Sequence, residues 1–361
     1  MSFDTDYNLK HVQVKSLHTN KIYSSKLEVL NSNELSQNLI KITHNDAWEQ
    51  FDWTVEPSET FDELLVERCN QLRQKYSYLT LYFSGGADSE TMVQAFIKAK
   101  VDPDEIVINN IIIAKDNPLK DIDLAIQKLK VYQTLLPKTK ITINNLERDF
   151  LIKFLHHKEI FSSSFNGSIG NYRRLTNNVL QELGYYGKNL NIPSSGHIFA
   201  ELKPSLYCDN TGYYVCFTHT ISASQYADWF FTTLDLPKLH IKQSHLVKNY
   251  LKSNYPSILG NISDSSIYRN KIIEACRYKF DGRFQPDKFK GLGEDIINLN
   301  NYQTEDSLVY RAMKEKDPEL YDMYNSKVLE ILSAMNKSLY NKETLDISAL
   351  KSKKYFLGVV N

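Results

Sequence analysis

The run Tyr78-Leu79-Thr80-Leu81-Tyr82-Phe83 leads directly into Ser84-Gly85-Gly86-Ala87-Asp88-Ser89 and then into ETMVQAFIKAK, ending at Lys100. Six β-prone, largely apolar residues read as a buried strand, and the apolar spacing from about Ser89 to Lys100 reads as a helix. The turn between them carries a glycine pair, which permits backbone angles closed to other residues and lets the chain approach a ligand closely. Successive N–H groups in such a turn point into one concavity, and the new helix adds the positive end of its dipole. The stretch therefore predicts a strand, an anion nest and a helix, with the ligand beyond the carboxyl end of the strand.

Downstream the same alternation continues. EIVINNIIIA reads as a second strand and DIDLAIQKLKVYQTLL as a second helix; KTKITINNL and RDFLIKFLHH read as the third pair. A helix over NYRRLTNNVLQEL follows, and LNIPSSGHIFAEL and GYYVCFTH are expected to continue the sheet. Alternating units of this length predict an α/β, Rossmann-like (HUP-type) parallel sheet with helices on both faces. Upstream, PSETFDELLVERCNQLRQKY reads as an amphipathic helix capped near Ser58, with Glu59 and Asp62 in its first turn. Short β-prone runs from Val12 to Thr43 predict a small antiparallel unit. The expected division is a β-rich N-terminal extension over 1–56, the nucleotide-type domain over 57–221 and a helical region over 222–361, whose last long segment is split by Pro318.

The 361 residues carry 43 Lys plus Arg against 43 Asp plus Glu, so no global field steers the protein to a polyanion or an anionic membrane. Any anion site must be local. Cys69, Cys208, Cys216 and Cys276 show neither CxxC spacing nor paired histidines, which favours free thiols over a zinc site. The N-terminal residues lack the apolar core of a signal peptide and no run is long enough to span a bilayer, so a cytoplasmic location is expected.

The chemistry of the turn sharpens its reading. Ser84 and Ser89 place hydroxyl donors at its rims, and the backbone of Gly85, Gly86 and Ala87 forms its floor. Asp88 is a carboxylate where an anion should sit; either a Mg²⁺ ion lies between the two charges or Asp88 caps the helix. GxxxxGK[ST] and GxGxxG are both absent from the turn. Ser84-Gly85-Gly86-Ala87-Asp88-Ser89 resembles the SGGxDS signature of the PP-loop ATP pyrophosphatases, over roughly Tyr78 to Thr218. That resemblance implies ATP and Mg²⁺ as cofactors, cleavage of ATP to AMP and pyrophosphate, and pyrophosphate held by residues 84–89, with Ser84 and Asp88 in catalysis and Asp88 at the metal. It also implies an adenylated acceptor, a small molecule or a nucleic acid, then amidated, ligated or thiolated. Adenine is expected against the backbone from Ile111 to Ala114, centred on Ile112.

Other residues admit both a functional and a plainer role. In SSGHIFAELKP, Ser194, Ser195, His197, Glu201 and Lys203 are expected at the carboxyl end of a later strand, with His197 a catalytic candidate and Lys203 a phosphate contact, or else a solvated polar loop. Arg173 and Arg174 begin a predicted helix, where one is expected to clamp a phosphate, ordinary surface charge being the alternative. The basic, aromatic segment from Tyr268 to Asp295 is either a lid over ATP or a solvated face. Glu90 favours a helix N-terminus by charge. Two other readings stay open: a non-catalytic adenine-nucleotide-binding module with a protein or RNA partner, and a sulfonucleotide reductase-like protein.

Overall fold

The computed structural model describes residues 12–22, 34, 39–44, 48–113, 120–156, 180, 194–200, 205–209, 211–216, 227–254, 312–327 and 354–359. In chain order the strands are β1 (Val12–Ser16), β2 (Ile40–His44), β3 (Tyr78–Tyr82), β4 (Glu105–Ile111), β5 (Lys140–Leu146), β6 (Ser195–Phe199), β7 (Ser205–Cys208), β8 (Tyr213–Cys216), β9 (Ala227–Trp229) and β10 (Tyr355–Gly358). Among the described residues the helices that accompany them include α1 (Phe61–Lys75), α2 (Ala87–Ala99), α3 (Lys120–Leu135), α4 (Arg148–Leu155) and α5 (Pro237–Asn254). Residues 312–316 and 318–327 are also helical.

The central sheet has the order β5-β4-β3-β6-β9, and each of its four pairings is parallel. This is an α/β Rossmann-like sheet. The chain starts at β3, builds outward through β4 and β5, then returns to build the other half through β6 and β9, so the order reverses between β3 and β6. Side-chain alternation gives the sheet two unlike faces. Leu79, Leu81 and Phe83 of β3 and its extension join Ile106, Ile108, Ile198 and Phe230 in the main core, together with Leu64, Leu72, Met92 and Phe96 of α1 and α2. Tyr82, Val107, Phe199 and Trp229 form a separate cluster on the opposite face, where Tyr82 and Phe199 stack 4.3 Å apart. Both faces are buried at β3, β4 and β6, as parallel strands at the centre of a sheet require, while the edge strand β5 is partly exposed.

Local sequence explains the helix that feeds β3. The capping residue of α1 is Thr60, not Ser58: Glu63 N–H donates to Thr60 Oγ1 at 3.2 Å and Thr60 N–H donates to Glu63 Oε2 at 2.8 Å. Such reciprocal caps contribute about 1 kcal/mol. At the other end, the Tyr76 ring packs against β6 at Gly196, where any Cβ would stand 2.4 Å from a ring carbon. Glycine is required there by contact rather than by backbone angle.

Two expectations from the sequence change. The strand at Tyr213–Cys216 does not continue the central sheet; it pairs antiparallel with β7 and β10 in a separate three-stranded sheet. The fifth parallel strand instead comes from Ala227–Trp229, beyond residue 221, and Leu236, Leu239, Met313, Leu320 and Tyr324 enter the main core. The region expected to be a helical appendage thus supplies part of the fold. The small sheet packs with Trp48, Trp53, Ile241 and Val247 into a second core. There His245 Nε2 meets Trp53 O at 2.8 Å, and Lys248 Nζ donates to Leu357 O at 3.0 Å. At Pro318 the helix does break, with Asp317 Oδ1 accepting from Leu320 N–H at 3.0 Å to cap the new one.

Candidate anion-binding site at the switch point

Ser84 to Ser89 follow β3, on the strand where the sheet order reverses, so the turn opens at the crevice where open α/β sheets bind ligands. Its backbone is fixed by three features. Phe83 N–H donates to Val107 O at 2.8 Å and carries the ladder to the edge of the turn. Gly85 then takes φ +72°, the left-handed region that favours glycine. Gly86 is the N-cap of α2 in extended conformation, φ −80° and ψ 165°, and makes no side-chain cap hydrogen bond. The helix start therefore lacks the usual side-chain oxygen over its first N–H groups, and those groups with the dipole favour an external anion.

The two serines do different work from that expected. Ser89 is buried, 4% exposed, and its hydroxyl is folded under the turn: it accepts from Ser84 N–H at 3.2 Å, donates to Gly86 O at 3.1 Å and lies 3.2 Å from Ser84 Oγ. It braces the nest from beneath instead of lining its mouth. Ser84 Oγ, half-exposed, also accepts from Gly86 N–H at 3.4 Å. Asp88 sits half-buried in the first turn of α2, where the dipole stabilises a carboxylate. Among the described residues no group of three or more His, Cys, Asp or Glu side chains could hold a metal.

Glu90, read from the sequence as a helix-terminal charge, is 7% exposed and tied to α3. Tyr132 donates its hydroxyl to Glu90 Oε1 at 2.9 Å, and Lys128 pairs with Oε2. Nothing in the spacing announces this, because the partners lie about forty residues downstream on another helix.

His197 stands elsewhere than expected. It is the third residue of β6, Cα partner of Thr80, on the face carrying Tyr82, and is 3% exposed. Ser194 and Ser195 lie at the amino end of β6, not at a carboxyl-end loop. Tyr82 Oη is 3.1 Å from His197 Nδ1, whereas Nε2 is buried without a hydrogen-bond partner, as is Thr80 Oγ1 on the adjacent strand. Burial pushes the imidazole down to about 4, with Glu105 opposing the shift, so the ring is neutral at physiological pH. It is a sheet-interior residue at a distance of several strand positions from the turn.

Ile112, just past the carboxyl end of β4, donates its N–H to Leu146 O at 3.0 Å. Ala114, Arg173, Arg174, Glu201, Lys203 and the basic segment from Tyr268 to Asp295 lie outside the described residues. Cys69 and Cys208 are buried free thiols, and burial pushes the Cys69 thiol far up, which makes it inert. Among the described residues no helix is long and apolar enough to cross a membrane.

No protein-family model matches the chain, and no curated protein matches it. Among solved structures, an NH3-dependent NAD synthetase from Campylobacter jejuni, in complex with the nitrate ion, is similar over 80% of this chain and 100% of its own, at 13% sequence identity and a TM-score of 0.28.

Proposed function

We propose that the chain is an ATP-dependent adenylating enzyme of PP-loop type, which cleaves ATP to AMP and pyrophosphate to activate an acceptor oxygen for amidation, ligation or thiolation. One observation carries the reading: a helix whose N-cap is a glycine without a side-chain cap, reached through a glycine at φ +72°, on the strand where the sheet order reverses. An uncapped helix start at a switch point favours a polyphosphate, and the SGGADS sequence of the turn fits the same ligand.

In this reading the backbone of Gly85, Gly86 and Ala87 takes the β- and γ-phosphates, the leaving group of cleavage between α and β. The donors are preorganised, because Ser89 Oγ holds the turn closed from beneath, so charge that develops on the departing pyrophosphate is met without rearrangement. Ser84 Oγ is the turn's half-exposed hydroxyl; Ser89 Oγ gives its own proton to Gly86 O, so Ser84 donates to Ser89 Oγ and would turn that proton to a phosphate oxygen when the ligand binds. Asp88 would hold Mg²⁺, which supplies Lewis-acid stabilisation when bound. His197 is not assigned to the reaction, since its ring lies within the sheet. The acceptor and the cytoplasmic setting are part of the proposal, as are phosphate contacts from Arg173, Arg174 and Lys203.

The test is incubation of the full chain with Mg²⁺ and α-labelled ATP against amino acids, tRNA, DNA and cell extract, with AMP and pyrophosphate scored separately. AMP and pyrophosphate in equal amounts, lost in Asp88→Ala, are expected, and the stimulating component names the acceptor class. ADP as product would overturn the reading; ATP retained uncleaved throughout would replace the enzyme with a nucleotide-binding module.

A further inference from the structure

The phosphate turn has two arms, and one side chain on a neighbouring helix touches both. Phe83 precedes Ser84 and Glu90 follows Ser89. Tyr132 of α3 meets the Phe83 ring edge-on, with centroids 6.1 Å apart at 90°, while its hydroxyl donates to Glu90 Oε1 at 2.9 Å. One helical turn earlier on the same face, Lys128 donates to Glu90 Oε2. Phe83, Glu90 and Tyr132 are all buried, and the Lys128 side chain is 17% exposed.

This contact reaches the nest through the backbone. Glu90 N–H donates to Gly86 O at 2.9 Å, and the same carbonyl accepts from Ser89 Oγ. Holding the Glu90 side chain against α3 therefore holds Gly86, whose position aims the first N–H groups of α2. Charge enters as well. Glu90 lies in the first turn of α2, so its carboxylate would repel an anion bound at the helix start unless its charge were cancelled. Lys128 provides that cancellation.

We propose that Tyr132 and Glu90 are positioning residues that preorganise the Ser84–Ser89 turn for a polyphosphate, with Lys128 as the counter-charge that keeps Glu90 from repelling it. The proposal rests on reading the turn as a phosphate site, and the experiment separates the two.

Full-length wild type, Tyr132→Phe, Lys128→Met and the double variant Glu90→Gln/Lys128→Met would be compared by calorimetric titration with Mg²⁺-pyrophosphate, by amide hydrogen exchange of residues 84–90 without ligand, and by thermal melting to confirm folding. Tyr132→Phe keeps the ring and removes one hydrogen bond to a charged group; it should weaken pyrophosphate binding about 10-fold and speed exchange across the turn in the ligand-free protein. Lys128→Met should weaken binding at least as much, with the loss reduced by salt. The double variant, which removes both charges, should recover to within about 3-fold of wild type. A double variant as weak as Lys128→Met would mean that Lys128 contacts the anion itself and would overturn the counter-charge role. Exchange and affinity unchanged in Tyr132→Phe would overturn the brace. If wild type binds no pyrophosphate, the phosphate reading fails, while the exchange comparison still decides whether Tyr132 orders the turn.

Discussion

The buried cluster around Arg68 and the turn at Ser84–Ser89 treat polar groups in opposite ways. Arg68 is wholly buried on α1, donating to Trp229 O at 2.8 Å, to Phe230 O at 3.2 Å and to Asp228 Oδ1 at 3.3 Å. The other oxygen of Asp228 accepts from Tyr76 at 2.8 Å and from Lys75 at 3.2 Å. Each of these contacts closes the edge strand β9 onto α1. In the turn, the serine hydroxyls satisfy the underside while the helix start above them has no side-chain cap. Placement differs: charge that is paired inside holds the fold, whereas the dipoles of an uncapped helix start are the kind of group that an anion satisfies, which is the basis of the proposed phosphate site.

Breaking the paired region should cost most. Arg68→Met leaves the buried carbonyls of Trp229 and Phe230 without this donor and Asp228 with Lys75 and Tyr76 but not its buried counter-charge, so chemical denaturation should show a loss of about 3–5 kcal/mol, with pyrophosphate affinity of the folded protein unchanged. A loss below about 1 kcal/mol would erase the contrast. His197 stands between the two regions, half paired. Its folded pKa of about 4 lies below the unfolded value of 6.5, so the unfolded chain binds more protons between those limits and stability falls as pH drops through them. Between pH 7 and pH 5 the wild type should lose about 2 kcal/mol more than His197→Gln does, read from denaturation midpoints. An identical pH slope in both proteins would show that the ring is not held neutral by burial.

Gly85→Ala attacks the open region. A β-carbon at φ +72° costs about 1 kcal/mol, and the re-aimed N–H groups should lower pyrophosphate affinity far more than stability; Gly85→Asn, which tolerates that angle, should retain most of both. The smallest effect belongs to Thr80→Val. Because Thr80 Oγ1 is buried without a partner, its replacement by an apolar isostere should change stability by less than about 1 kcal/mol, and in the stabilising direction. A clear destabilisation would reveal a hydrogen bond there to ordered water.

Much of the central sheet was legible in the residues. β3 to α4 follow the predicted order because β3 and β4 are mostly apolar, β5 alternates Ile141 and Ile143 with polar residues, and each helix has a regular apolar spacing. The turn was legible because glycine's angle at residue 85 is a property of one position. What the chain order hides is pairing across distance. Tyr213–Cys216 reads as one more buried strand, and nothing local says that its partner is Tyr355–Gly358 and not β6. His197 looked like a loop residue because SSGH carries turn chemistry, yet only Ser194 takes the positive φ, and the strand begins at the next residue. The contacts of Glu90 and Arg68 depend on helices and strands brought together by the fold, which no spacing within either segment records.

The join between β8 and β10 also has a consequence for the order of assembly during synthesis. Val215 pairs with Tyr355, a partner that leaves the ribosome roughly 140 residues later, on the order of 10 s at ordinary elongation rates. Throughout that interval β3, β4 and β5 can already be docked, since their partners are near neighbours in the chain. The edge of β8 meanwhile waits unpaired beside Trp48 and Trp53, the stage at which a nascent chain would have most need of a chaperone.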